Sequence, residues 1–341
     1  MPEHLKSRLE KLGGRGHRAL VAGISRGGER VSCGWSAAGG EPDASTLFEI
    51  GSITKTFTGV LLADMHLRGE VSLEDPLSTY LPAPRPAWRH REPTLLELAT
   101  HRSALPNTPG QMGRRELAYS LGLGRTDPWA AVTDADYARL VTRESPRRAP
   151  GGRMGYSSMA VGLLGDALAA RAGTSYEELL TRRILTPLGM SATAITIRPE
   201  WSGKLIGGHS RRGRPRPPIE DFMPAAGSLR SNAEDMLRFL TACLVAPAQS
   251  PGPALALAQQ PRARLAKHLE VGLCWMISTS DGAPKVLWHN GGTWGFRSFA
   301  GFAPERGTAA VLMSNTARSV DRLGFELVQG MPQPVVGSSD T

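Results

Sequence analysis

The spacing of hydrophobic positions changes twice along this chain. Residues 18–24 ("RALVAGI") and 29–36 ("ERVSCGWS") read as two strands, joined as a hairpin at Arg26–Gly28. Residues 45–50 ("STLFEI") predict a further short strand. From about 53 the period becomes helical, with Ile53, Phe57, Val60, Leu61 and Met65 on one repeat that ends near Gly69. The stretch 71–205 is helical and loop-rich, with helical patterns at 94–105, 134–144, 159–173 and 175–185. Ser175 followed by Glu178 predicts a capping box, and Pro187-Leu188-Gly189 stops that helix. A helix over 232–245 precedes a return to strands at 271–278, 285–290, 296–304 and 308–315, with a last helix near 318–329. Strands early, helices in the middle and strands late predict a sheet built from both chain ends around a helical insertion. The polar tail 337–341 is expected to be disordered.

With 341 residues, 40% of them hydrophobic, the chain can build one large core, and 21% charged residues fit a globular protein. The net charge of +9 is carried by arginine, since there are only six lysines, at 6, 11, 55, 204, 267 and 285. The basic stretches 85–92 and 211–218 are broken by proline and read as solvated loops, so no nucleic-acid partner is expected. Cys33, Cys243 and Cys274 are far apart and odd in number, which argues against a disulfide framework; no Cys/His metal spacing occurs. Neither metal nor cofactor is therefore expected. No apolar run has the length of a signal-peptide core or a membrane span, so the expected location is cytoplasmic, with no membrane partner.

The segment "FEIGSITKTFTG" (48–59) carries the first chemical signal. Ser52 before a helix is commonly a cap, but a capping box would then place Glu or Gln where Lys55 stands. A cation in the first helical turn opposes the helix dipole, at a cost of about 0.3–1 kcal/mol. A chemical reading accounts for both residues. Residues three apart share a helix face, and a desolvated amine near a positive helix end sheds its proton more easily. Such a lysine is a general base for the neighbouring serine, whose own N–H can serve an oxyanion.

Two further segments join it. Tyr156 lies after a Gly-rich loop and just ahead of a helix in "APGGRMGYSSMAVGLLG" (149–165), where a phenol can relay a proton. "WHNGGTWGF" (288–296) places His289 and three glycines at a strand and its end, and strand glycines mark close backbone approach. A literal G-x-S-x-G at 23–27 is a decoy: Gly27-Gly28 and a strand follow Ser25 where a nucleophile elbow needs a helix.

In the order and spacing of these segments, together with 94–106, 156–193 and 225–240, the chain resembles the serine β-lactamase and penicillin-binding-protein superfamily. The likeness is to its class C-like branch of β-lactamases, DD-peptidases, esterases and transacylases, and it spans about 18–315. It implies an α+β fold of the β-lactamase/transpeptidase type, an antiparallel sheet flanked by helices plus an all-α subdomain. The implied organisation is one catalytic domain over 1–335, with an α/β subdomain (about 1–70 and 206–335), a helical subdomain (about 71–205) and a tail at 336–341. By the same resemblance Ser52 is the acylated nucleophile, and Lys55 and Tyr156 share the general-base and general-acid work. His289 steadies the tyrosine's proton network, and the Ser52 and Gly292 amides form the oxyanion hole. Ser158, Asn290, Gly291 and Thr293 are expected to bind substrate, and His101 is expected to be structural. One departure stands out: the family's second motif ends in Asn, whereas here it ends in Ser158, a shorter hydrogen-bonding group.

These features imply a serine hydrolase or acyltransferase that passes an acyl group from a small-molecule ester or amide to water or an amine. The expected setting is cytoplasmic, with a place in natural-product (antibiotic) biosynthesis. The competing readings are a true β-lactamase or D-amino-acid peptidase, and a non-catalytic sensor that binds acylating ligands.

Overall fold

Strands from the two ends of the chain pair directly. The computed structural model describes residues 2–40, 42–82, 85–120, 127–201, 203–280 and 282–330, so the tail at 337–341 lies outside the described residues. The strands are β1 (Ala19–Arg26), β2 (Glu29–Ser36), β3 (Phe48–Glu49), β4 (Gly208–His209), β5 (Pro215–Arg216) and β6 (Arg230–Ser231), then β7 (Ala263–Ala266), β8 (Leu269–Val271), β9 (Met276–Ser280), β10 (Ala283–Gly292), β11 (Arg297–Ala303) and β12 (Thr308–Ser314). The helices are α1 (Pro2–Gly13), α2 (Thr54–Leu67), α3 (Leu95–Ala99), α4 (Gly110–Ser120), α5 (Asp134–Thr142) and α6 (Ser158–Ala172), then α7 (Tyr176–Leu180), α8 (Pro224–Gly227), α9 (Ala233–Val245), α10 (Gly252–Ala258) and α11 (Asp321–Gln329).

The main sheet has eight antiparallel strands in the order β2-β1-β12-β11-β10-β9-β8-β7, with Leu20 opposite Ser314 and Arg26 opposite Thr308. The expected α+β fold with an antiparallel sheet is what is observed. β1 is buried from Ala19 to Ser25 because helices cover both faces. Val21 faces the larger core with Phe57, Leu237 and Phe239, whereas Leu20, Ala22 and Ile24 face a smaller core with Leu5, Leu9, Leu323 and Leu327 from α1 and α11. α2 is buried from Thr54 to Met65, so it is the central helix of the larger core and exposes no face to solvent along that stretch. Among the described residues no helix is long and apolar enough to cross a membrane.

Several predicted elements change at their ends. The predicted strand 271–278 is two pieces, β8 and β9, because the chain turns at Cys274, which has φ +61° and donates its N–H to Ala99 O at 3.0 Å. The helix predicted over 94–105 is only α3; a Thr94–Glu97 capping box starts it, and left-handed backbone at His101 (φ +57°) and Ala104 (φ +65°) turns the chain afterwards. Only half of the Ser175 capping box forms: Ser175 Oγ accepts the Glu178 N–H at 3.2 Å, while the Glu178 carboxylate takes the Thr174 hydroxyl. α1, α4, α8, α10 and the strands β4 to β7 are additions to the predicted set.

Under the sheet, Phe57 stacks on Phe239 at 4.0 Å between ring centroids, and Phe239 continues to Trp275 at 5.9 Å. This column fixes α2, and with it the site at its N-terminus, against α9. Phe239→Ala is expected to lower stability by about 3–5 kcal/mol in urea unfolding; a loss under about 1 kcal/mol contradicts this packing.

Candidate active site

Ser52 lies in a 3-10 turn, Gly51–Ile53, that leads into α2, and no side chain caps either segment. Its hydroxyl is therefore free for another partner. Gly51 has φ +53°, a left-handed conformation that favours glycine. One turn on, Lys55 is fully buried. Its Nζ lies 3.0 Å from Ser52 Oγ, 3.2 Å from Ser158 Oγ and 2.6 Å from the Ala226 carbonyl oxygen. Burial, which disfavours the ammonium, pushes the Lys55 pKa down to about 7.

Tyr156 completes the group. Its hydroxyl end is enclosed and hydrogen-bonds with Ser52, although 37% of the residue as a whole stays exposed at the cleft edge. Burial pushes the phenol well above its ordinary pKa, so it is a neutral proton donor at pH 7. Lys55 Nζ sits 5.1 Å from the centre of its ring. Two buried histidines flank the same ring: His101 at 4.5 Å and His289 at 6.1 Å between centroids. Burial first, and then the nearby Lys55, push the His289 pKa down to about 3 and that of His101 well below its ordinary value, so both rings are neutral. His289 Nδ1 donates to Asn290 O at 2.6 Å, and His101 Nδ1 accepts the Ser157 N–H at 3.3 Å. The two histidines are thus opposite tautomers.

The end of β10 closes the site from the sheet side. A Cβ on Gly291 would lie 1.9 Å from Ile50 O, so only glycine lets this strand approach the segment that carries Ser52. Ser298 Oγ donates to the same Ile50 carbonyl at 2.8 Å, and Gly51 packs directly on the Gly292 backbone. The Ser52 and Gly292 amides therefore belong to facing segments.

The structure brings Ser52, Lys55, Tyr156, Ser158, His289 and Gly292 together. Three of the residues expected at substrate are engaged elsewhere. Asn290 Nδ2 donates to Asp321 Oδ2 at 3.0 Å, because strand alternation sends it to the α11 face, opposite its neighbour His289. Gly291 is a packing position. Thr293 is buried beside the Glu49 carboxyl instead of opening onto the cleft. His101, expected to be structural, stands against Tyr156 inside the site; its place within the 94–106 segment was the available signal. Ala226 O and Asn107 also join the site, the latter accepting from Ser158 at 3.0 Å; Ala226 lay in the 225–240 segment without being singled out, and Asn107 carried no signal in sequence.

The comparisons with known proteins bear on this arrangement. The family profile described as Beta-lactamase matches residues 5–327. The chain belongs to the beta-lactamase family. This beta-lactamase-family chain is 28% identical over 322 residues to "D-alanyl-D-alanine-carboxypeptidase/endopeptidase AmpH" of Escherichia coli K12, covering 88% of the chain and 80% of that relative. It is 32% identical over 196 residues to the "Beta-lactamase" of the same organism, covering 57% of the chain and 47% of that protein. In fold it is similar to the class C β-lactamase of Rhodobacter sphaeroides (TM-score 0.76, 24% identity, 95% of this chain and 97% of that one). It is likewise similar to the β-lactamase/D-alanine carboxypeptidase of Pseudomonas syringae (TM-score 0.79, 18% identity, 97% and 98%). The family is one of serine hydrolases that includes β-lactamases and DD-carboxypeptidases.

The low Lys55 pKa gives a pH prediction with a fixed sign. A base works only when unprotonated, so activity is lost as pH falls through about 7, and kcat/KM is expected to show an acid limb there. A limb near the ordinary lysine value of about 10.4 contradicts the buried-amine geometry.

Proposed function

We propose that this protein is a serine acyl-enzyme hydrolase or transacylase acting on an ester or amide, with water or an amine as acceptor. The observation that carries the reading is Lys55 Nζ, buried and 3.0 Å from Ser52 Oγ. In the first half-reaction Ser52 Oγ attacks the acyl carbon while its proton passes to Lys55. Tyr156, held protonated, gives the leaving group its proton. The Ser52 and Gly292 amides receive the oxyanion. In the second half-reaction water or an amine attacks the acyl-enzyme, and the same groups run in reverse to free Ser52.

The replacement of the family's Asn by Ser158 supports an acyl donor other than a β-lactam. A D-alanyl-peptide donor is the second reading, favoured by the similarity to AmpH over most of both chains. A cytoplasmic location and a part in natural-product assembly belong to the same proposal and rest on sequence composition.

Treatment with a fluorophosphonate, and separately with an activated ester, is expected to leave one adduct on the Ser52 peptide and none in Ser52→Ala. Labelling that persists in Ser52→Ala, or no adduct from either reagent, rejects the assignment. Tyr156→Phe is expected to slow turnover by about 10²–10⁴-fold; a change below about threefold removes Tyr156 from the proton path.

A further inference from the structure

We propose that Asn107 is a positioning residue that fixes the direction of the hydrogen-bond chain through Ser158, so that Lys55 turns its lone pair toward Ser52. This inference rests on the acyl-enzyme reading and adds a component from a loop outside the recognised motifs.

The chain can be followed atom by atom. Asn107 Oδ1 lies 3.1 Å from the Ser158 backbone N–H, a group that can only donate. That contact settles which end of the carboxamide is oxygen. The same Oδ1 lies 3.0 Å from Ser158 Oγ, so the Ser158 hydroxyl must spend its proton on Asn107. The Met159 N–H donates to the Asn107 backbone carbonyl at 2.9 Å, and Ser157 Oγ donates to the adjacent Pro106 carbonyl at 2.6 Å, so the loop is pinned to the start of α6. With its proton committed, Ser158 Oγ faces Lys55 Nζ, 3.2 Å away, as an acceptor. Ala226 O, at 2.6 Å, is an acceptor by nature.

A neutral amine has two N–H groups and one lone pair, and Lys55 has three oxygen partners. Two acceptors take both N–H groups, which leaves the lone pair for the third partner, Ser52 Oγ. With the neighbouring Tyr156 hydroxyl held protonated, the Ser52 proton is then directed to Lys55. Its transfer makes an ammonium whose three N–H groups donate to Ser158, Ala226 and the Ser52 oxygen, so no partner changes. Without Asn107 the Ser158 hydroxyl is free to donate into the Lys55 lone pair, and the base is then turned away from the nucleophile. An Asn at position 158 would present an acceptor of its own; Ser158 needs Asn107 to become one.

The test is a double-mutant cycle on the rate at which a fluorophosphonate labels Ser52, with far-UV circular dichroism and melting temperature for each variant. Asn107→Ala is expected to slow labelling by about 10- to 100-fold, the scale of a misdirected proton acceptor. In the Ser158→Asn background the same change is expected to cost less than about threefold, because position 158 then supplies its own acceptor. Asn107→Asp keeps both contacts and adds a charge to a neighbourhood whose other titratable groups are Tyr156, His101, His289 and Cys274. It is expected to retain labelling at high pH and to move the acid limb upward, and it serves if the alanine variant does not fold. Equal losses in both backgrounds, no loss in the wild-type background, or an unmoved limb in Asn107→Asp overturns the inference. Wild-type protein that leaves Ser52 unlabelled brings down the acyl-enzyme reading and this inference with it, whereas a labelled wild type matched by Asn107→Ala overturns this inference alone.

Discussion

Burying an amine among three oxygen atoms is the constraint around which this site is built. A lysine at the start of a central helix, enclosed by α8 and the first residue of α6, loses the hydration that would keep it charged. Relative to water, the ammonium there is disfavoured by on the order of 5 kcal/mol. That figure decides the chemistry, because it places a basic amine beside a serine hydroxyl at neutral pH. The same enclosure holds Tyr156 protonated and both histidines neutral, so one physical cause divides the labour between base and acid.

The fold keeps this arrangement in place from several directions. The sheet unites the two chain ends, so β10 can bring Gly291 and Gly292 against the turn that carries Ser52. The α6 N-terminus delivers Tyr156 and Ser158 from the helical region, and Ala226 on α8 supplies a backbone oxygen. Atoms that meet at Lys55 thus come from three separate stretches of sequence, and β10 closes on the Ser52 turn as a fourth. Binding them requires the stacked aromatic column beneath α2 and the close approach at Gly291 to hold at once.

Much of this was legible in sequence because it follows from local pattern. Two periods of hydrophobicity marked the terminal strands and the helices between them, and a lysine where a capping acid belongs marked Ser52–Lys55. The rest depended on geometry that no short pattern encodes. Asn107 and Ala226 act through a loop carboxamide and a backbone carbonyl, which leave no periodic trace. His101 owes its place to left-handed backbone after α3. The direction of the Asn290 side chain follows from strand alternation: the neighbour of inward-facing His289 faces outward, here toward Asp321. The strand expected over 271–278 failed because a run of apolar residues does not reveal the turn at Cys274 inside it.

The central claim is that Lys55 gives up its proton near neutral pH in the resting protein. With only six lysines in the chain, an NMR titration of isotope-labelled lysine side chains can follow each one. One resonance is predicted to titrate near 7 and to vanish in Lys55→Met. A Lys55 resonance that titrates near the ordinary lysine value of about 10.4 would contradict the account at its base.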